Sequence, residues 1–162
     1  MAEFENPTRR YKWFRPRQAA RGYGFIGATN TPIVSLFNDS TGPELLVVRA
    51  LRVVSSTGAL STSDFAQQGE LGTEYGQPVL PLVPSMAAPP GTIYVADVTS
   101  VPQINGYNFT GPQSIDVFWE QDFPLAVIEP GWSYGLIGSI GKNLQVSFVW
   151  EHIFADELDF YY

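Results

Sequence analysis

The chain of 162 residues has no cysteine, which removes disulfides, thiolate metal sites and cysteine nucleophiles in one step. It has one histidine, His152, so a zinc site would have at most one imidazole and no thiolate ligand. A Ser-His-Asp relay would need a serine on a strained turn, and the sequence holds no G-x-S-x-G elbow. His152 is read as a residue at the end of a strand. No apolar run reaches the 18 residues of a membrane-spanning helix, and no basic segment followed by an apolar stretch opens the chain. A product made and folded in a reducing cytoplasm, without an export signal, is expected, and exit by lysis is compatible with it. The glycosylation sequons at Asn38 and Asn108 are accordingly read as chance.

Positive charge is scarce and unevenly placed. Residues 1–21 hold six of the nine basic side chains against Glu3 and Glu5, a formal +4. The remaining residues hold three bases and 14 acids, a formal −11, for a net −7. An acidic body repels nucleic acid and anionic membrane, so neither is an expected partner of the body.

What is present points to β-structure. Hydrophobic residues make up 44% of the chain, and 15 Gly and 13 Pro supply the turns that many short strands need. One domain with a full sandwich core fits this length. In residues 144–152, Leu144, Val146, Phe148 and Trp150 alternate with Gln145, Ser147, Val149 and Glu151, the period of a half-buried strand. Residues 114–120 alternate similarly, with Ile115, Val117 and Trp119 on one face. Pro130-Gly131 between these stretches reads as a type II turn. Residues 33–38 and 92–99 are further strands. Residues 44–56 are apolar on both faces, which predicts a central strand covered by core on one side and by an arm or subunit on the other. Strict alternation puts Arg49 and Arg52 on opposite faces unless a bulge intervenes, each an ion-pair partner for a nearby carboxylate.

Residues 57–91 read as loop-rich. Ser61 to Asp64 fits a capped helical turn, and the prolines at 78, 81 and 84 forbid a central strand nearby. Residues 102–112 read as a Gly/Asn/Pro turn. No internal repeat and no helix beyond a turn or two is found.

Residues 1–32 lack both periods and mix arginines with Phe4, Tyr11, Trp13, Phe14, Tyr23 and Phe25. They read as an extended arm that would order against the body, a neighbouring subunit or a partner, because alone it buries too little to offset chain entropy. Its G-x-G-x-x-G at residues 22–27 has neither a preceding strand nor a following helix, so it is read as a flexible hinge and not as a nucleotide site. The expected partner-binding residues are Arg9, Arg10, Lys12, Trp13, Phe14, Arg15, Arg17 and Arg21. No catalytic residue, metal ligand or cofactor is expected. The carboxylate pairs Glu120/Asp122 and Glu157/Asp159 fit a solvated acidic surface, a cation site or, for the first pair, glycoside hydrolysis. The aromatics Tyr75, Tyr107, Phe109, Trp132 and Tyr134 either stack on sugar rings or fill the ends of a sandwich or an oligomer axis.

The turn Glu129-Pro130-Gly131-Trp132-Ser133-Tyr134-Gly135, followed by Val146-Ser147-Phe148-Val149-Trp150-Glu151, resembles motifs of small β-sandwich virion proteins of tailed bacteriophages, and residues 45–53 are similar to an early strand of that group. The resemblance covers about a third of the chain. It implies a jelly-roll-like fold, a homotrimer, a place in the virion, and a non-enzymatic role as a cement, decoration or minor capsid component bound to the major capsid protein or another virion protein. The expectation is thus an all-β protein, a single antiparallel β-sandwich, jelly-roll-like and of about eight strands, spanning residues 33–162 behind an arm at 1–32. A carbohydrate-binding module of a tail or fibre is the alternative.

Overall fold

The computed structural model describes residues 16–27, 29–102, 104–118 and 125–154. A 3-10 turn at Pro16–Gln18 leads into twelve strands: β1 (Ala19–Ile26), β2 (Thr31–Phe37), β3 (Glu44–Val54), β4 (Leu60–Gln68), β5 (Thr73–Glu74), β6 (Leu80–Pro81), β7 (Thr92–Val98), β8 (Ile104–Gly111), β9 (Ser114–Phe118), β10 (Ala126–Ile128), β11 (Trp132–Ile137) and β12 (Leu144–Phe154). They form two antiparallel sheets. The first runs β10-β3-β12-β1-β6, with β9 also paired to β3; the second runs β5-β7-β2-β11-β4-β8. Strands β1 to β4 alternate between the sheets, β8 and β9 do so again, and β11 and β12 insert between the earlier ones. This is the jelly-roll order, with β5, β6, β7 and β10 added at the margins.

The core lies between the sheets, where the alternating residues meet. Leu144, Val146, Phe148 and Trp150 of β12 are fully buried against Val34 and Leu36 of β2, Leu136 of β11 and Ile93 of β7. At about 25 cal/mol per Å² of apolar surface, this layer is the main source of stability. Trp150 also donates its indole N–H to the Pro90 carbonyl at 2.9 Å, so its one polar atom is satisfied.

Residues 19–26, assigned to the arm by their composition, are a strand of the sandwich. β1 pairs with β12 over its whole length, from Ala19 opposite Glu151 to Ile26 opposite Leu144. Its inward positions are Ala20, Gly22, Gly24 and Ile26. A Cβ on Gly24 would lie 2.8 Å from side-chain carbons of both Ile93 and Val34. The glycines that read as a hinge are therefore the small residues that let β1 close over the second sheet, while Tyr23 and Phe25 face outward, 40% and 42% exposed. The body accordingly begins before residue 33.

Three further expectations are corrected. Residues 60–68 form β4, in place of a helical turn at Ser61 to Asp64, and residues 104–111 form β8, in place of a turn. β3 is central, as its two apolar faces require, but it carries a bulge: Val48 opposes Trp150 and Ala50 opposes Val149, leaving Arg49 as the extra residue. The bulge rephases the strand, so Leu46, Val48, Leu51 and Val53 all enter the core, and Arg49 and Arg52 fall on the same outer face. There Arg49 pairs with Glu151, and Arg52 lies 3.2 Å from Asp116. Leu45, Val47 and Ile153 on that face are buried together, packed with Val127.

Candidate functional site

At one mouth of the sandwich, the strand β10 and the turn after it stand over the inner face of β4 and β11. The turn is built as its sequence requires. Gly131 has φ +81°, and Trp132 N–H donates to the Glu129 carbonyl at 3.0 Å. Asn38, fully buried, ties the region together. Its side-chain amide donates to the carbonyls of Glu44 and Ile128, both at 2.9 Å, and its backbone exchanges hydrogen bonds with Gly131 and Trp132. Asn38 was legible only as a turn residue and sequon.

Below this roof is a cavity of about 350 Å³. Leu125, Ala126, Val127 and Ile128 make one wall, and Asp64, Ala66, Trp132 and Tyr134 make the floor. Trp132 and Tyr134 sit two apart on β11 and so point the same way. Trp132 is 38% exposed, whereas Tyr134 is buried and donates its hydroxyl to Asp64 Oδ2 at 3.0 Å. Asp64 is itself buried, facing inward because Leu136 of the core is its register partner. The described lining holds two acids, Asp64 and Glu129, and no base. Such a floor favours neutral hydroxyl-bearing or cationic groups and repels anions. Trp132 and Tyr134 were named from the sequence. Asp64 was missed because a carboxylate three residues after Ser61 imitates a helix cap; the alternation Leu60, Thr62, Asp64 was the available signal.

The other candidate surface is the basic segment. Of its expected residues, Arg17 and Arg21 are described and both are exposed; Arg9, Arg10, Lys12, Trp13, Phe14 and Arg15 lie outside the described residues. Arg21, Tyr23 and Phe25 project from the outer face of β1 as an exposed row, beside Leu80 of β6, which is 47% exposed. In contrast, the three bases of the body are engaged: Arg49 and Arg52 by carboxylates, and Lys142 by the Ala59 carbonyl at 3.5 Å.

The remaining chemistry is dispersed. Glu120, Asp122, Glu157 and Asp159 lie outside the described residues, as do Trp119 and Phe123, and nothing is described of the Tyr107 side chain. Among the described residues no group of three or more acids and histidine is placed to hold a metal ion. His152 is half-buried near the end of β12, its Nδ1 3.2 Å from a Glu44 carboxylate oxygen. Tyr75 packs edge-on against Tyr23, ring centres 5.6 Å apart, and Phe109 packs against the core. These two aromatics pack against the sandwich core; Trp132 alone of the described candidates offers much of its ring to solvent.

Comparison with family models and with curated proteins finds no match to this chain. The resemblance to phage virion proteins therefore rests on the motifs quoted above. In the fold, those motifs are the turn that roofs the cavity and the central strand of the first sheet.

Proposed function

We propose that the protein is a non-enzymatic structural component of a phage particle, a cement or decoration protein that docks on the shell through its basic N-terminal segment. The observation that supports this reading is the attachment of that segment. β1 is paired on both sides, with β12 and β6, so the bases preceding it are tethered to a rigid sheet and not to a loose end. The arm carries a formal +4 and the rest of the chain −11. An acidic shell surface would attract the first and turn the second outward. Arg9, Arg10, Lys12, Arg15 and Arg17 would supply charge-assisted bonds, and Trp13 and Phe14 apolar anchors.

The structure dictates where to cut. Removal of residues 1–21 would strip Ala19 and Ala20, both buried, from the sheet. A chain beginning at Pro16 keeps β1 whole. The expected result is an unchanged circular dichroism spectrum and loss of co-sedimentation with purified virion shells. Equal sedimentation of the full and shortened chains would overturn the reading.

The cavity beneath the Pro130-Gly131 turn favours a second reading, a carbohydrate-binding module. An exposed indole beside buried hydrogen-bonding groups is the composition of a sugar subsite. Under this reading Trp132→Ala abolishes binding on a glycan array and leaves the native mass unaltered; an array on which the full chain binds nothing excludes it.

A further inference from the structure

A β-sandwich exposes the margins of its sheets, and an unpaired strand offers a row of backbone donors and acceptors to any extended chain. Most margins of this molecule are blunted. β6 is two residues long and ends in Pro81; β5 is two residues long and carries Glu74; β10 has three residues. β9, five residues long, presents Asp116. The margin formed by β8 is different. It runs eight residues, Ile104–Gly111, with neither a charge nor a proline. It pairs with β4 on one side, regularly from Asn108 to Gly111 and with a register shift between Asn108 and Ile104, and no strand pairs with its other side among the described residues. The uncharged stretch is longer than the strand, extending from residue 98 to residue 115.

We infer that the free edge of β8 is an interface with a second copy of this chain, pairing antiparallel across a two-fold axis to join two second sheets into one. Two considerations select a second copy. Each chain carries −7, so two acidic bodies meet with least repulsion where charge is absent, and the β8 strand carries none. A strand laid antiparallel on itself is also self-complementary: any residue facing j is faced by j in return, as a two-fold contact requires. Asn108 and Thr110, both exposed, would then meet their counterparts with short side chains able to hydrogen-bond across the pair. This inference is independent of the proposed role on a particle, because it concerns the free protein.

The test uses the full chain. Light scattering over a concentration series should give a mass twice the 17.9 kDa of the chain. The double substitution Asn108→Glu, Thr110→Glu sets like charges against each other and should return the mass to that of one chain, with the circular dichroism spectrum preserved and a lower thermal midpoint, since it also removes the bond Asn108 accepts from Ser63 Oγ. Because the chain lacks cysteine, single substitutions Asn108→Cys and Thr110→Cys on the exposed face, and Phe109→Cys on the core side, provide a second readout. Oxidation should link two copies through at least one of these positions. A single-chain mass throughout the series overturns the inference. So does an oligomer, dimer or trimer, that persists in the double variant, or a dimer that none of the three cysteines links.

Discussion

Arg49 and Arg52 stand three residues apart on β3, on the same outer face, each beside a carboxylate, yet they occupy different media. The Arg49 and Glu151 side chains are 4% and 0% exposed, while those of Arg52 and Asp116 are 64% and 48% exposed. The same pairing chemistry has different consequences in the two places. In water, two charges gain little by meeting, because solvent already stabilises both. Away from water, each charge depends on its partner, and losing one strands the other. The outer face of the first sheet is thus two regions. One end, around Leu45, Val47, Glu151 and Ile153, behaves as interior; the other, around Arg21, Tyr23, Phe25 and Arg52, behaves as surface.

The largest effect that would sharpen this contrast is at the covered end. Glu151→Ala removes the carboxylate paired with Arg49 and should lower unfolding stability by about 3–5 kcal/mol, measured by urea denaturation. Replacing both members, Arg49→Met with Glu151→Leu, should recover most of that loss, since a buried pair is often matched by apolar residues of similar volume. A single-variant loss below about 1 kcal/mol would place the pair with the exposed ones. Next in size is the inner side of β1. Gly24→Ala forces a methyl into the side chains of Ile93 and Val34 and should cost about 1–3 kcal/mol, whereas Tyr23→Ala on the opposite side should cost less. Smallest of the three is Arg52→Ala, expected to change stability by no more than about 1 kcal/mol and to become neutral in high salt.

The same division explains how much of the molecule could be read beforehand. Strands whose inward positions carry large apolar residues announced themselves: β12 through Leu144, Val146, Phe148 and Trp150, β7 through Ile93 and Val95, β3 through its continuous run. The turn at Pro130-Gly131 was legible because it depends on local φ preferences alone. β1, β4 and β8 were not legible: the inward positions of β1 and β4 include Gly22 and Gly24, and Thr62 and Asp64, while β8 runs through a Gly- and Asn-rich segment that reads as a turn. Small or polar residues enter a core only when the opposing sheet leaves no room or supplies a partner, and that is information held by another part of the chain. The bulge at Arg49 belongs to the same class. One extra residue inverts the phase of half a strand, and alternation alone cannot reveal where it falls. At the candidate site, the exposed Trp132 and its neighbour Tyr134 were named, while Asn38 and Asp64, which build the roof and floor, depend on partners 90 and 70 residues away.

Two tyrosines carry the contrast into the pH dependence. Tyr94, on the outer face of the second sheet, packs edge-on against Phe37, ring centres 5.8 Å apart. Its phenol is held above the ordinary 10.0, first by burial and then by the carboxylates of Glu70, Glu74 and Asp39. Tyr75 is also raised, first by burial and then by Tyr23, with no carboxylate contributing. The neutral phenol is the form the fold accommodates, while the unfolded chain ionises at the usual value. The contribution is therefore complete below about pH 10 and lost as pH rises through the elevated folded values. Denaturation midpoints followed from about pH 9 to 11 should fall less steeply in Tyr94→Phe than in the parent chain. Added salt should narrow that difference, because it screens the three carboxylates, and should leave the effect of Tyr75→Phe nearly unchanged. Equal salt sensitivity at the two positions would show that desolvation alone holds both phenols neutral, and that the acidic groups around Tyr94 exert no field that the folded state feels.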